Sequence, residues 1–195
     1  MHACGHDAHT AILLGVAKLL HRKGWPNKGR IVLLFQPAEE GRNGAEAVIE
    51  AGFLKKHQPD VCAGLHVWSE AETGVCHVNP GPFMAATNRF KVNVQGKGGH
   101  GAVPHSAKDP IVSAALMITG LQTLVSREVD PAESAVVTVG QFHGGESFNV
   151  IPDAVFFEGT LRTFSKSVQA HLEIRINDLV EGIAKATGVT ATVEM

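Results

Sequence analysis

Apolar residues Ile12, Leu13, Val16, Leu19 and Leu20 recur three and four positions apart, the spacing that puts them on one helical face. Lys18, His21, Arg22 and Lys23 gather toward the end of the same stretch, where cations complement the helix dipole. The pattern predicts a helix over residues 7–23, followed by a turn at Gly24 to Gly29. Ile31 to Phe35 and Val61 to Val67 are short continuous apolar runs, the pattern of strands buried on both faces. A short helix over Ala45 to Ala51 separates them, and Gly74 to Val78 reads as one more strand. Helix, strand, helix, strand predicts a parallel α/β sheet, in which ligands collect at the carboxyl ends of the strands.

After Asn79-Pro80-Gly81-Pro82 the pattern changes, and we place a domain boundary near Ala86, giving domains 1–86 and 87–195. Arg89 to Val94 alternates as a strand. Ile111 to Leu124 is helical, Ala135 to Phe142 and Ala154 to Leu161 are strands, Val168 to Ala186 is a long helix and Val189 to Val193 a last strand. The order β-α-β-β-α-β is the ferredoxin-like arrangement.

With 195 residues, 44% hydrophobic and 18% charged, the chain has the composition of a globular protein. Its net charge of −2, with Lys and Arg scattered, gives no electrostatic case for nucleic acid or an anionic membrane, so the expected partner is a small molecule. No apolar stretch approaches the ~18 residues of a spanning helix, and no basic stretch with an apolar core opens the chain. Three cysteines at 4, 62 and 76 make no disulfide framework, which predicts a reducing, cytoplasmic setting. Cys62 and Cys76, lying in or beside apolar stretches, are expected in the core.

The chemistry concentrates at the start. Met1-His2-Ala3-Cys4-Gly5-His6-Asp7-Ala8-His9 holds three imidazoles, a thiol and a carboxylate in nine positions. Cys4 and His6, two apart around a glycine, suit one borderline metal ion; the plainer reading is a polar helix entrance with Asp7 as N-cap. Glu39 and Glu40 follow the first apolar run directly, and His66 ends the second. Adjacent loop residues diverge, so one carboxylate can bind metal while its neighbour acts as general base. Each alone reads as a solvated acidic pair or a core histidine. Their convergence on Cys4 and His6 would supply four ligands and leave Glu39 for acid/base work.

These motifs, His2-Ala3-Cys4-Gly5-His6-Asp7-Ala8-His9, Gln36-Pro37-Ala38-Glu39-Glu40-Gly41 and Gly64-Leu65-His66, resemble peptidase family M20, and most closely its amidohydrolase branch of hippurate hydrolases, N-acyl-amino-acid amidohydrolases and indole-acetyl-amino-acid hydrolases. The resemblance implies two divalent ions (Zn, Mn, Co or Ni), with Cys4, His6, Glu40 and His66 at metal-ligand positions and Glu39 as general base. It implies metal-dependent hydrolysis of an N-acyl amino acid or a small peptide-like amide, and a second domain serving as lid and homodimerisation (or higher-order) surface. Gly96-Lys97-Gly98-Gly99-His100-Gly101 also fits a dinucleotide-binding pattern. Pro104 and the lack of an acidic residue at the end of a second strand argue against that. By the resemblance, His100 stabilises the oxyanion in the partner subunit's site; on its own it reads as a surface loop histidine. His105 lies in the same loop. Asn149-Val150-Ile151-Pro152 and Gly159-Thr160-Leu161-Arg162 resemble segments gripping the substrate carboxylate, a role suited to the Asn149 amide and the Arg162 fork.

Against the family pattern, a segment before His2 and everything after the lid are missing, so the sequence reads as a central fragment of a protein about twice as long. The expected consequence is an incomplete first domain with exposed apolar faces. The competing reading is a catalytically inert fragment whose lid acts only as a dimerisation module. A third, a cysteine hydrolase using Cys4, leaves Glu39, Glu40 and His66 without a role.

Overall fold

The computed structural model describes residues 3–24 and 28–195. Met1, His2 and part of the turn expected over Gly24 to Gly29 lie outside the described residues. The chain divides into two compact units, Met1–Cys76 and His77–Met195.

In the first unit α1 spans His6–Lys23, with Asp7 in its first turn and His21, Arg22 and Lys23 in its last. The residue at its N-cap is Gly5, not Asp7. Two short helices follow, α2 at Gly44–Glu50 and α3 at Phe53–His57; α3 was not legible in the apolar spacing. The expected strands at 31–35, 61–67 and 74–78 are absent: these segments carry no ladder among the described residues, and no parallel sheet forms. A parallel strand needs paired neighbours and helices over both its faces, and neither is supplied here. Leu34, Phe35, Val61 and Leu65 are consequently exposed, as are Leu14 and Leu19 on α1. Cys62 and Cys76, expected in a core, are exposed for the same reason. Of this unit's described residues only Gly44 is buried.

The second unit is built on a sheet. Strands β1 (Ala86–Gln95), β3 (Ala135–Gly144), β5 (Ala154–Thr163) and β6 (Thr190–Glu194) lie in the order β3-β5-β1-β6, and every neighbouring pair is antiparallel. Helices α4 (Pro110–Thr123) and α5 (Lys166–Thr187) complete the βαββαβ arrangement that the sequence pattern predicts. Phe90, Val92 and Val94 alternate inward from β1, and Val155, Phe157 and Leu161 from β5. They meet Ala114, Met117 and Leu121 of α4 and the i, i+4 row Leu172, Ile176, Val180 and Ala184 of α5. Each of the larger side chains (Val, Leu, Ile, Phe, Met) contributes roughly 1.5–3 kcal/mol by leaving water. Asp109 caps α4 by accepting from Ile111 and Val112 N–H, with Pro110 pre-set for the first helical position. Ser165 caps α5 by accepting from Val168 N–H. Past α4 the chain makes a π-helical turn, Leu124–Glu128. Two short strands, β2 (Gly99–His100) and β4 (Val150–Ile151), pair with each other apart from the main sheet.

Candidate metal centre

The first unit sets its polar cluster by close backbone approaches. Gly5 has φ +73, and a Cβ there would stand 2.5 Å from Val67 Cγ2. Only glycine satisfies both conditions without strain, and it seats Cys4 and His6 against the 66–67 segment. Gly44 N–H donates to the Ala38 carbonyl at 3.1 Å, and a Cβ on Gly44 would collide with the Pro37 carbonyl. The loop bearing Glu39 and Glu40 is thereby closed onto the start of α2.

One ligand atom each from Cys4, His6 and Glu40 lies within 4.8 Å of the others. His6 Nε2 stands 3.5 Å from Glu40 Oε1 and 3.7 Å from Glu39 Oε2. His66 joins through Nε2, 3.5 Å from Cys4 Sγ. The Val67 carbonyl can only accept, so the 2.6 Å contact with His66 Nδ1 puts the ring proton on Nδ1 and leaves the Nε2 lone pair facing the cluster. That is the tautomer a metal-binding imidazole needs. The hydrogen-bonded Glu40 carboxylate pushes the Cys4 thiol up, with burial and the charges of Glu40 and Glu39 adding to it; crowding of anionic donors is what a bound cation would relieve. A thiol, an imidazole and a carboxylate in this space, with the His66 imidazole against the thiol, form a donor set that fits a borderline divalent cation.

His9 has a part that sequence reasoning missed. Val67 N–H donates to its Nε2 at 3.0 Å, and its ring meets that of His66 edge-on, with centroids 4.5 Å apart. His9 thus pins the segment carrying His66. Partial burial and the neighbouring His66 and His6 hold it below the usual histidine range. The available signal was its spacing: three residues after His6 on a helix, it shares that face.

The remaining candidates lie in the second unit. His100 on β2 pairs with Val150 on β4, directly after Asn149, and Gly101 N–H donates to the Asn149 carbonyl at 2.8 Å. A Cβ on Gly98 would press on the Ile151 carbonyl, and one on Gly101 on that of Asn149. The glycine-rich run thus allows two backbones to approach, rather than cradling a phosphate. Ala102 N–H donates to His100 Nδ1 at 3.2 Å, so the neutral ring carries its proton on Nε2. Arg162 is exposed near the far end of β5, opposite Thr87 and Val136. It is eight residues past Ala154, or about 27 Å along an extended strand. Within this unit His100 and Asn149 are brought together and Arg162 is not. His105, in the Pro104–Ser106 turn, is exposed.

Known proteins similar to this chain include a deacetylase and an amino acid hydrolase. The chain is 48% identical over 194 residues to an N-acetyl-L-cysteine deacetylase of Bacillus subtilis, a match covering 100% of the chain and 46% of that protein. It is 47% identical to an IAA-amino acid hydrolase of Arabidopsis thaliana, covering 100% of the chain and 44% of the relative. A solved Bacillus subtilis structure, described as a dinuclear metal binding peptidase from the M20 family, superposes with a TM-score of 0.73 at 36% identity, covering 100% of the chain and 48% of that structure. The chain therefore spans about half the length of the relatives it matches. No helix among the described residues is long and apolar enough to cross a membrane. The profile of peptidase family M20/M25/M40 matches residues 1–190, and the chain belongs to that family.

Proposed function

We propose that the whole protein is a metal-dependent amidohydrolase that cleaves N-acyl amino acids or related small amides to a carboxylate and an amine. The observation that carries this reading is the meeting of Cys4, His6 and Glu40 within 4.8 Å, with His66 Nε2 3.5 Å from Cys4 Sγ. Cys4, His6, Glu40 and His66 would hold two divalent ions of the Zn, Mn, Co or Ni class, which supply Lewis acidity toward the amide carbonyl and the attacking water. Glu39, beside Glu40 and 3.7 Å from His6, takes the proton of that water and passes it to the leaving amine. His100 presents Nε2–H to the developing oxyanion. Asn149 and Arg162 bind the substrate carboxylate.

The distance along β5 bears on assembly. A single carboxylate held by both Asn149 and Arg162 draws one group from each of two copies, which supports a homodimer formed through residues 87–195. A reducing, cytoplasmic setting belongs to the same proposal and rests on three cysteines with no disulfide among them. One observation favours the second reading, an inert chain whose lid only dimerises: no hydrophobic residue of the first unit is buried among the described residues.

Turnover of a panel of N-acetyl and N-benzoyl amino acids by the metal-supplemented chain separates the two. The hydrolase reading expects hydrolysis that a chelator abolishes and that Glu39→Gln lowers by roughly 100-fold or more. Turnover indifferent to both changes would contradict it.

A further inference from the structure

The loop between β3 and β4 ends in a turn, Ser147-Phe148-Asn149-Val150, in which Val150 N–H donates to the Ser147 carbonyl at 3.3 Å. Inside it the Ser147 hydroxyl donates to Asn149 Oδ1 at 2.8 Å. A primary amide has an accepting end and a donating end, and on an exposed turn it would otherwise rotate between them. With Oδ1 held inward by Ser147, the Nδ2–H2 end faces away from the turn. The backbone is fixed as well, because Gly101 N–H takes the Asn149 carbonyl. The other side chain on this ladder is set in the same sense, since the proton donated to His100 Nδ1 by Ala102 N–H leaves His100 with a donor at Nε2. His100 on β2 and Asn149 just before β4 thus both present donors. Such an array takes a carboxylate or carbonyl oxygen and disfavours a cation or a donor group.

We infer that Ser147 is a positioning residue: its hydroxyl locks the Asn149 amide as an outward donor for the substrate's carboxylate. This rests on the reading of Asn149 as a substrate contact. The advantage is preorganisation, since an amide already oriented loses less rotamer freedom when the ligand arrives. Losing one neutral hydrogen bond of this kind corresponds to about a 3- to 10-fold change in affinity.

The test uses the isotope-labelled 195-residue chain as wild type, Ser147→Ala, Ser147→Thr and Asn149→Ala. Side-chain amide relaxation at Asn149 Nδ2 is measured first, without ligand, and N-acetylglycine is then titrated. The inference expects an ordered amide in wild type and Ser147→Thr and a mobile one in Ser147→Ala, which binds N-acetylglycine about 3- to 10-fold more weakly. An Asn149 amide as ordered in Ser147→Ala as in wild type overturns the inference while leaving Asn149 as a substrate contact. Unchanged N-acetylglycine binding in Asn149→Ala overturns the underlying reading, and the inference with it, so the two failures are distinguishable.

Discussion

The two units divide the labour of the chain unevenly. The second holds a continuous core from Phe90 to Val189; the first holds the cluster of Cys4, His6 and Glu40, with His66 beside Cys4, and buries no hydrophobic side chain among its described residues. In the second unit side chains are placed by packing. In the first they are placed by two tight glycine approaches and by hydrogen bonds to Val67 from both sides. A site can therefore be specified locally where the surrounding layer contributes little stability, and in that situation metal binding supplies folding free energy directly.

The largest effect should come from the core. Leu161→Ala is expected to cost about 2–5 kcal/mol, whereas Leu14→Ala, on an exposed face of α1, should stay within about 0.5 kcal/mol. Urea unfolding followed by far-UV circular dichroism checks both, and equal costs would erase the contrast between the units. Limited proteolysis sharpens it: cleavage should begin in 1–76, with 87–195 persisting. A divalent ion at 100 times its dissociation constant should add about 2.7 kcal/mol to whatever it binds, slowing cleavage of the first unit selectively. Glu40→Gln should remove that protection and weaken metal binding at least tenfold, as read by competition with a chelating dye.

Smaller effects lie at the helix ends of the second unit. Asp109→Ala removes the acceptor for Ile111 and Val112 N–H and should lower stability by about 1 kcal/mol, visible as a shift in Tm. Arg175 donates to Glu128 at 2.8 and 3.2 Å and, with His171, holds its carboxyl below the usual range. A carboxyl depressed in the folded state stabilises above its unfolded value and loses that contribution as pH falls through the lowered folded value. The loss should begin below about pH 4.5, and Arg175→Leu should flatten the dependence of Tm on pH over that range.

What the sequence disclosed follows the same division. Alternation in Arg89 to Val94 and the apolar row along 168–186 report elements whose partners are all within 86–194, so their periods predicted the βαββαβ order. The runs at 31–35 and 61–67 carry the composition of buried parallel strands, but a strand is defined by its neighbours, and composition does not say whether a neighbour is present. The site candidates were visible because thiol, imidazole and carboxylate types are sparse and clustered. His9 was overlooked because its role is a bond to a backbone N–H, which leaves no mark in residue type. The separation of Arg162 from Asn149 follows from Asn149 preceding β4 while Arg162 lies at the end of β5 away from Ala154, a fact of strand pairing that motif matching does not contain.

The central claim is that Cys4, His6, Glu40 and His66 form a divalent-metal site, and the most direct test is metal stoichiometry by mass spectrometry on the purified chain after equilibration with Zn, Mn, Co or Ni. The account predicts close to two ions per chain, reduced in Cys4→Ser and in His66→Ala. A chain that binds no metal, or that binds the same amount after those substitutions, would contradict it.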